Sequence, residues 1–147
     1  MADRGLQAGM RAGALAAVTL GAAALVGGCA SFAGTRGEPM AFSSARAQDR
    51  VLDIQVSRRG TRLYLTNTTA FSLDAGTLWI NQRFSAPMPA LGLGESLVLD
   101  LRNFIDDEGA TFRAGGFFAT RDPDAVVLAQ LETSGELLGL VVVENRF

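Results

Sequence analysis

Three groups of side chains in this sequence could do chemistry. Asp106, Asp107 and Glu108 fall in one turn, and Asp122 and Asp124 fall in the next. Carboxylates gathered in this way suit calcium, which takes six to eight hard oxygen ligands. No stretch here, however, places ligands at alternate positions ahead of a distal glutamate. Two solvated turns are the expected arrangement, since aspartate favours turns and acidic edges discourage aggregation. A pair of carboxylates could also hydrolyse a glycosidic bond, given a cleft that fixes their separation, but residues 50–147 show no helical layer from which to build one. Arg58, Arg59 and Arg62 form a basic cluster that could touch anionic headgroups, at ~1 kcal/mol per charge close to such a surface; on a hairpin tip they are expected to be solvated. Trp79 and Tyr64 could stack on a sugar or anchor an interface. Flanked by Leu78 and Ile80, Trp79 is expected in the core. Phe117 and Phe118 are adjacent, so in a strand they face opposite sides. At least one is expected to be exposed or to meet a partner, which makes this pair the best candidate contact surface.

What is missing narrows the field further. The 147 residues contain no histidine, which removes the commonest general base and the usual imidazole metal sites. There is no glycine-rich phosphate loop, so no cofactor is expected and the chain reads as a non-enzyme. Thirteen basic residues, all arginine, stand against fifteen acidic ones for a net charge of -2, a poor footprint for nucleic acid. The single cysteine, Cys29, has no partner for an internal disulfide. With 48% hydrophobic residues the chain can build one core of ordinary size.

The first residues read as an address. Ala12 to Gly28 carry no charge and follow Arg4 and Arg11, a positive region ahead of an apolar one. Val26, Gly27, Gly28 and Cys29 then resemble the lipobox of bacterial lipoprotein precursors, with an aliphatic residue at -3, small residues at -2 and -1, and cysteine. The resemblance implies cleavage between Gly28 and Cys29 and a diacylglycerol on the sulfur, so Cys29 would be an anchor. Small residues let a peptidase reach extended backbone, and a thiolate is nucleophilic enough to take the lipid. Two other readings stay open: a membrane-spanning helix, since the uncharged run continues to Thr35, and a buried helix with an incidental cysteine. On the lipobox reading residues 1–28 are a lipoprotein signal peptide, and Met10-Arg11 opens a more compact one, which makes Met10 an alternative start. Ala30 and Ser31 stand where aspartate retains enteric lipoproteins at the inner membrane, which points to the outer one. Residues 29–49, rich in Ala, Ser, Gly and Arg, read as a flexible tether about 25 Å in root-mean-square span, with Phe32, Met40 and Phe42 as apolar exceptions.

Residues 50–147 read as strands. Leu52, Ile54 and Val56 alternate with polar residues, Arg58-Arg59-Gly60 turns the chain, and Leu63 and Leu65 continue the alternation, which predicts a hairpin. Further strands are expected over Thr77 to Phe84, Leu97 to Leu101, Thr111 to Thr120 with a break at Gly115-Gly116, Val126 to Thr133 and Leu137 to Asn145. Pro87, Pro89, Gly92 and Gly94 predict a loop. The last strand is apolar on both faces and is expected to be central or covered. The fold class is therefore all-β, an antiparallel sandwich of about seven strands behind an N-terminal signal helix.

Leu63-Tyr64-Leu65-Thr66-Asn67, Leu78-Trp79-Ile80-Asn81 and Gly94-Glu95-Ser96 before Leu97-Val98-Leu99 together resemble small immunoglobulin-like domains of bacterial envelope proteins, over about residues 50–105. The resemblance implies a fold and no particular activity. The expected protein is a lipid-anchored accessory module facing the periplasm, with an envelope protein as partner; the alternative is a module binding cell-wall glycan through Trp79, Tyr64 or Phe117.

Overall fold

Alternation of apolar and polar residues fixes which way each strand faces, and the computed structural model, which describes residues 34–147, follows it closely. Seven strands form one sheet: β1 (Arg50–Arg59), β2 (Arg62–Thr66), β3 (Gly76–Ile80), β4 (Phe84–Met88), β5 (Ser96–Asp100), β6 (Ala129–Thr133) and β7 (Glu136–Arg146). Their order is β4-β3-β6-β7-β1-β2-β5. The all-β class, the strand number and the β1–β2 and β6–β7 hairpins are those the alternation predicts. Apolar on both faces, β7 lies in the middle of the sheet.

Three features differ from the expectation. First, β1 pairs with β7 in parallel, so the sheet is mixed, and it curls into a half-barrel instead of relying on antiparallel neighbours throughout. Second, the run Thr77 to Phe84 is two strands. Asn81 and Gln82, both at φ 55°, turn the chain, and Phe84 opens β4. Pro87 is tolerated there because β4 is an edge strand, where its missing N–H costs no ladder bond. Third, no strand forms over Thr111 to Thr120, apart from a single bridge between Ile105 and Thr111. Gly115 and Gly116, at φ 80° and 127°, take the backbone out of the β region.

The concave face holds the core: Leu52, Ile54, Val56, Leu63, Leu65, Leu78, Ile80, Leu97, Leu99 and Leu131 are all buried. After β5, one turn of 3-10 helix (Leu101–Asn103) carries the chain back toward β4. The amide of Ser85 donates to Ile105 O at 2.8 Å, and that of Ile105 to Ser85 O at 3.1 Å. This contact narrows the gap between the two edges of the half-barrel.

The segment read as a tether is docked from Gly34 onward. The amide of Gly37 donates to Asn103 O at 2.8 Å, and a Cβ on Gly37 would stand 2.2 Å from Ser85 O, so only glycine allows so close an approach. The chain then crosses the convex face. There the register aligns Ser85, Trp79, Gln130 and Gly139 in a row over four strands. Phe42 packs edge-on to Trp79 with ring centroids 5.2 Å apart. Gln48 Oε1 accepts from Gln130 Nε2 at 2.8 Å, and its side chain fills the space a Cβ on Gly139 would need. Arg46 pairs with Glu132, and Asp49 exchanges two hydrogen bonds with Leu137, at 2.9 and 2.7 Å. Residues 34–49 therefore form a strap, and the polar composition that suggests a linker supplies its hydrogen bonds. Gly28, Cys29 and the signal segment lie outside the described residues.

Candidate functional site

Strand direction sets the two ends of the half-barrel. Arg59, Arg62, Asp100 and Arg146 are brought together at one end by the pairings of β1 with β2 and β7 and of β2 with β5. The long segment between Leu101 and Ala129 lies at this end. Its buried residues, Phe104, Phe112, Ala114 and Val126, cover the mouth of the core.

Arg58 fastens this segment. It occupies the inward parity of β1 after Leu52, Ile54 and Val56 and is fully buried. Its Nε donates to Gly60 O at 3.0 Å, its Nη2 to Ala114 O at 2.7 Å and its Nη1 to Asp124 O. The guanidinium carbon also lies 4.4 Å from the centre of the Phe147 ring. Burial lowers the Arg58 pKa, and the carboxylate of Asp124 partly opposes that. The cluster expected to be solvated is thus divided: Arg58 is buried and serves the interior, while Arg59 lies over the ring of Tyr64 at 5.2 Å and Arg62 is exposed. The signal was present in the period of two, which puts Arg58 on the same face as Val56.

Two asparagines complete the fastening. Asn81 Oδ1 accepts from the amides of Val127 and Leu128 at 2.9 and 3.2 Å, and its Nδ2 donates to Ala125 O at 2.8 Å. Asn145 exchanges bonds with both backbone groups of Val126, at 3.0 and 2.8 Å. Together with the Arg113–Asp124 ion pair, these contacts hold both stems of the loop and leave its tip, Gly115 to Asp122, projecting.

Phe117 and Phe118 form that tip. They are 96% and 90% exposed, so the solvent shell sees nearly the whole of both rings. The rings meet edge to face, 5.0 Å between centroids. They do not take opposite faces of a strand, because the glycine pair turns the backbone and the amide of Ala119 closes back on Gly116 O at 3.0 Å. Arg102, Arg113 and Arg121 border an open hollow beside the tip. Arg102 is paired with Asp100 and Arg113 with Asp124, whereas Arg121 has no carboxylate within 4 Å among the described residues.

Of the carboxylate candidates, Asp122 is exposed at the end of this tip and Asp124 pairs with Arg113 at its stem, while the other candidates lie apart from it. Asp106 is buried: Arg83 donates to its Oδ2 from Nε and Nη2 at 3.1 and 2.8 Å, and the amides of Glu108 and Ala110 donate to its Oδ1 at 3.2 and 2.7 Å. It is a turn organiser whose lone pairs are already used, while Asp107 and Glu108 are exposed. Hydrogen bonding to Arg83 keeps the Asp106 pKa below the usual carboxylate range, although burial alone would raise it. Asp124 is lowered in the same way by Arg113. Among the described residues no three ligating side chains are grouped so as to hold a metal ion. Trp79 is 2% exposed, with its indole N–H donating to Glu132 Oε2 at 2.9 Å beneath the strap. Half-buried Tyr64 is four strands away in β2, about 19 Å at ~4.8 Å per strand. The two rings do not share a stacking platform.

The chain matches no protein-family model, no curated protein and no solved structure.

Proposed function

We propose that this protein is a bacterial lipoprotein, cleaved before Cys29, acylated there, and held on the periplasmic side of a membrane as a non-catalytic accessory module for another envelope protein. The observation that carries this reading is the Val26-Gly27-Gly28-Cys29 run at the end of an uncharged segment that follows Arg4 and Arg11. The strap is consistent with it, because the chain is docked at Gly34, five residues after the proposed anchor. Acyl chains contribute ~0.8 kcal/mol per buried methylene, so two or more hold a protein at a membrane durably. A body fastened by buried side chains and bearing an exposed aromatic tip suits an adaptor better than a cleft enzyme.

The test is growth of a bacterium expressing the full chain with radiolabelled palmitate. Label in the protein and its loss in Cys29→Ala are expected; equal labelling of both, or of neither, would contradict the anchor. Cross-linking in the same cells addresses the partner: a stoichiometric protein adduct supports the accessory role, and retention on purified cell-wall glycan would favour a glycan-binding module instead.

A further inference from the structure

The two ends of the half-barrel are unlike, and the difference bears on how the body would sit at a membrane. Gly34, the first described residue, is held at the loop end by Asn103, whose Nδ2 donates to Gly34 O at 2.7 Å. In the same turn, Arg102 borders the hollow beside the Phe117-Phe118 tip, and the amide of Leu101 donates to Thr61 O at 2.9 Å. Two consecutive residues, Arg102 and Asn103, therefore lie between the docked Gly34 and the loop that carries the exposed rings. We propose that the Phe117-Phe118 tip is a second membrane contact, inserted at the headgroup and acyl boundary of the bilayer that holds Cys29. This rests on the lipid-anchor reading.

Chain length is the first argument. With the strap docked, only residues 30–33 separate Cys29 from Gly34, and five peptide steps span at most about 18 Å at ~3.3 to 3.6 Å each. In an anchored body Gly34 therefore stays within that distance of Cys29, which keeps the loop end near the headgroups.

Chemistry is the second. Two aromatic rings more than 90% and about 90% exposed, on a tip whose stems are fastened at Arg58, Asn81 and Asn145, gain by entering an apolar layer. Arg121 lies three residues beyond Phe118 with no carboxylate partner among the described residues, free to meet a lipid phosphate. Charge gives the third argument. The far end carries Asp49, Asp53, Asp74, Glu95, Glu132 and Glu136 against only Arg46 and Arg50, so an anionic surface repels it.

The test uses the acylated full chain in vesicles of phosphatidylethanolamine and phosphatidylglycerol, with or without bromine on the acyl chains. The indole introduced by Phe117→Trp is expected to lose at least half its added emission to bromine and to shift to the blue. Trp79, buried under the strap, reports folding in every variant. Leu93→Trp, on the far end, is expected to be unquenched. An acylated protein whose Phe117→Trp emission is water-like and unquenched overturns the proposal. So does a blue shift without quenching that depends on protein density, which would mean contact between copies of this chain, and so does equal quenching at both positions. Mass spectrometry of the same sample separates the two readings: an unacylated chain defeats the anchor and with it the second contact, whereas failure of quenching in an acylated chain defeats the second contact alone.

Discussion

Arg58 and Ala114, 56 residues apart in the chain, meet through a 2.7 Å hydrogen bond from Nη2 to the carbonyl oxygen, deep at the mouth of the half-barrel. Gly60 and Asp124 offer their carbonyls to the same guanidinium. One side chain thus replaces the strand pairing that the segment after Thr111 lacks, and it satisfies backbone oxygens that would otherwise be stranded. Arg58→Met should fill much of the space while leaving those carbonyls unpaired, at a cost of about 3 kcal/mol. Urea unfolding measures the loss. Hydrogen exchange should show it concentrated at residues 113–125, and a change below about 0.5 kcal/mol would deny Arg58 this role.

Gly37 tests the strap. A Cβ there would collide with the backbone of Ser85, which has no flexible end to yield. Gly37→Ala should lift residues 34–48 from the convex face and expose Trp79, seen as faster exchange over the strap and red-shifted indole emission, with the far-ultraviolet dichroism of the sheet retained. Unchanged exchange would mean that the strap is held elsewhere.

Much of this fold is legible in the sequence because its determinants are local. The period of two in β1, β2 and β5 gives the buried face directly, and the apolar run of β7 marks a strand with neighbours on both sides. The parallel β1–β7 pairing is not local. It depends on segments more than eighty residues apart that no turn connects. The strap was hidden for a related reason: its polar side chains bond to Gln130, Glu132 and Leu137, partners that only the folded sheet brings within reach. At the candidate site, the aromatic pair stands out in the sequence. Of the fasteners, Arg58 is marked by the period of two that puts it on the face of Val56, whereas Asn81 and Asn145 are indistinguishable from ordinary turn residues.

The acid limb of stability should report Asp106. Its pKa is lowered in the folded state by Arg83 and by two backbone amides, so the native protein binds fewer protons there than the unfolded chain. The resulting stabilisation is complete above the unfolded value of about 3.9 and is lost as pH falls through the folded one. Melting temperature should be flat from neutrality to about pH 5 and fall below about pH 4. Asp106→Asn should melt lower at neutral pH and lose less on acidification, with Asp100 and Asp124, lowered by Arg102 and Arg113, supplying the remaining slope. Parallel curves for the two proteins would contradict this.

The exposed tip should be nearly irrelevant to folding. Neither Phe117 nor Phe118 packs into the core, so the double change to alanine should alter stability by less than about 0.5 kcal/mol. Thermal melting checks this. A large loss would make the rings part of the structure and remove them as a contact surface.

The proposed attachment to a membrane depends on the sulfur of Cys29. The most direct measurement is the intact mass and amino-terminal fragment spectrum of the protein purified from bacterial membranes, with Cys29→Ala beside it. The predicted result is a chain beginning at Cys29 and carrying the added mass of two or three acyl groups. A chain recovered with the residues before Cys29 still attached, from Met1 or from Met10, or beginning at Cys29 with a bare thiol, would contradict it.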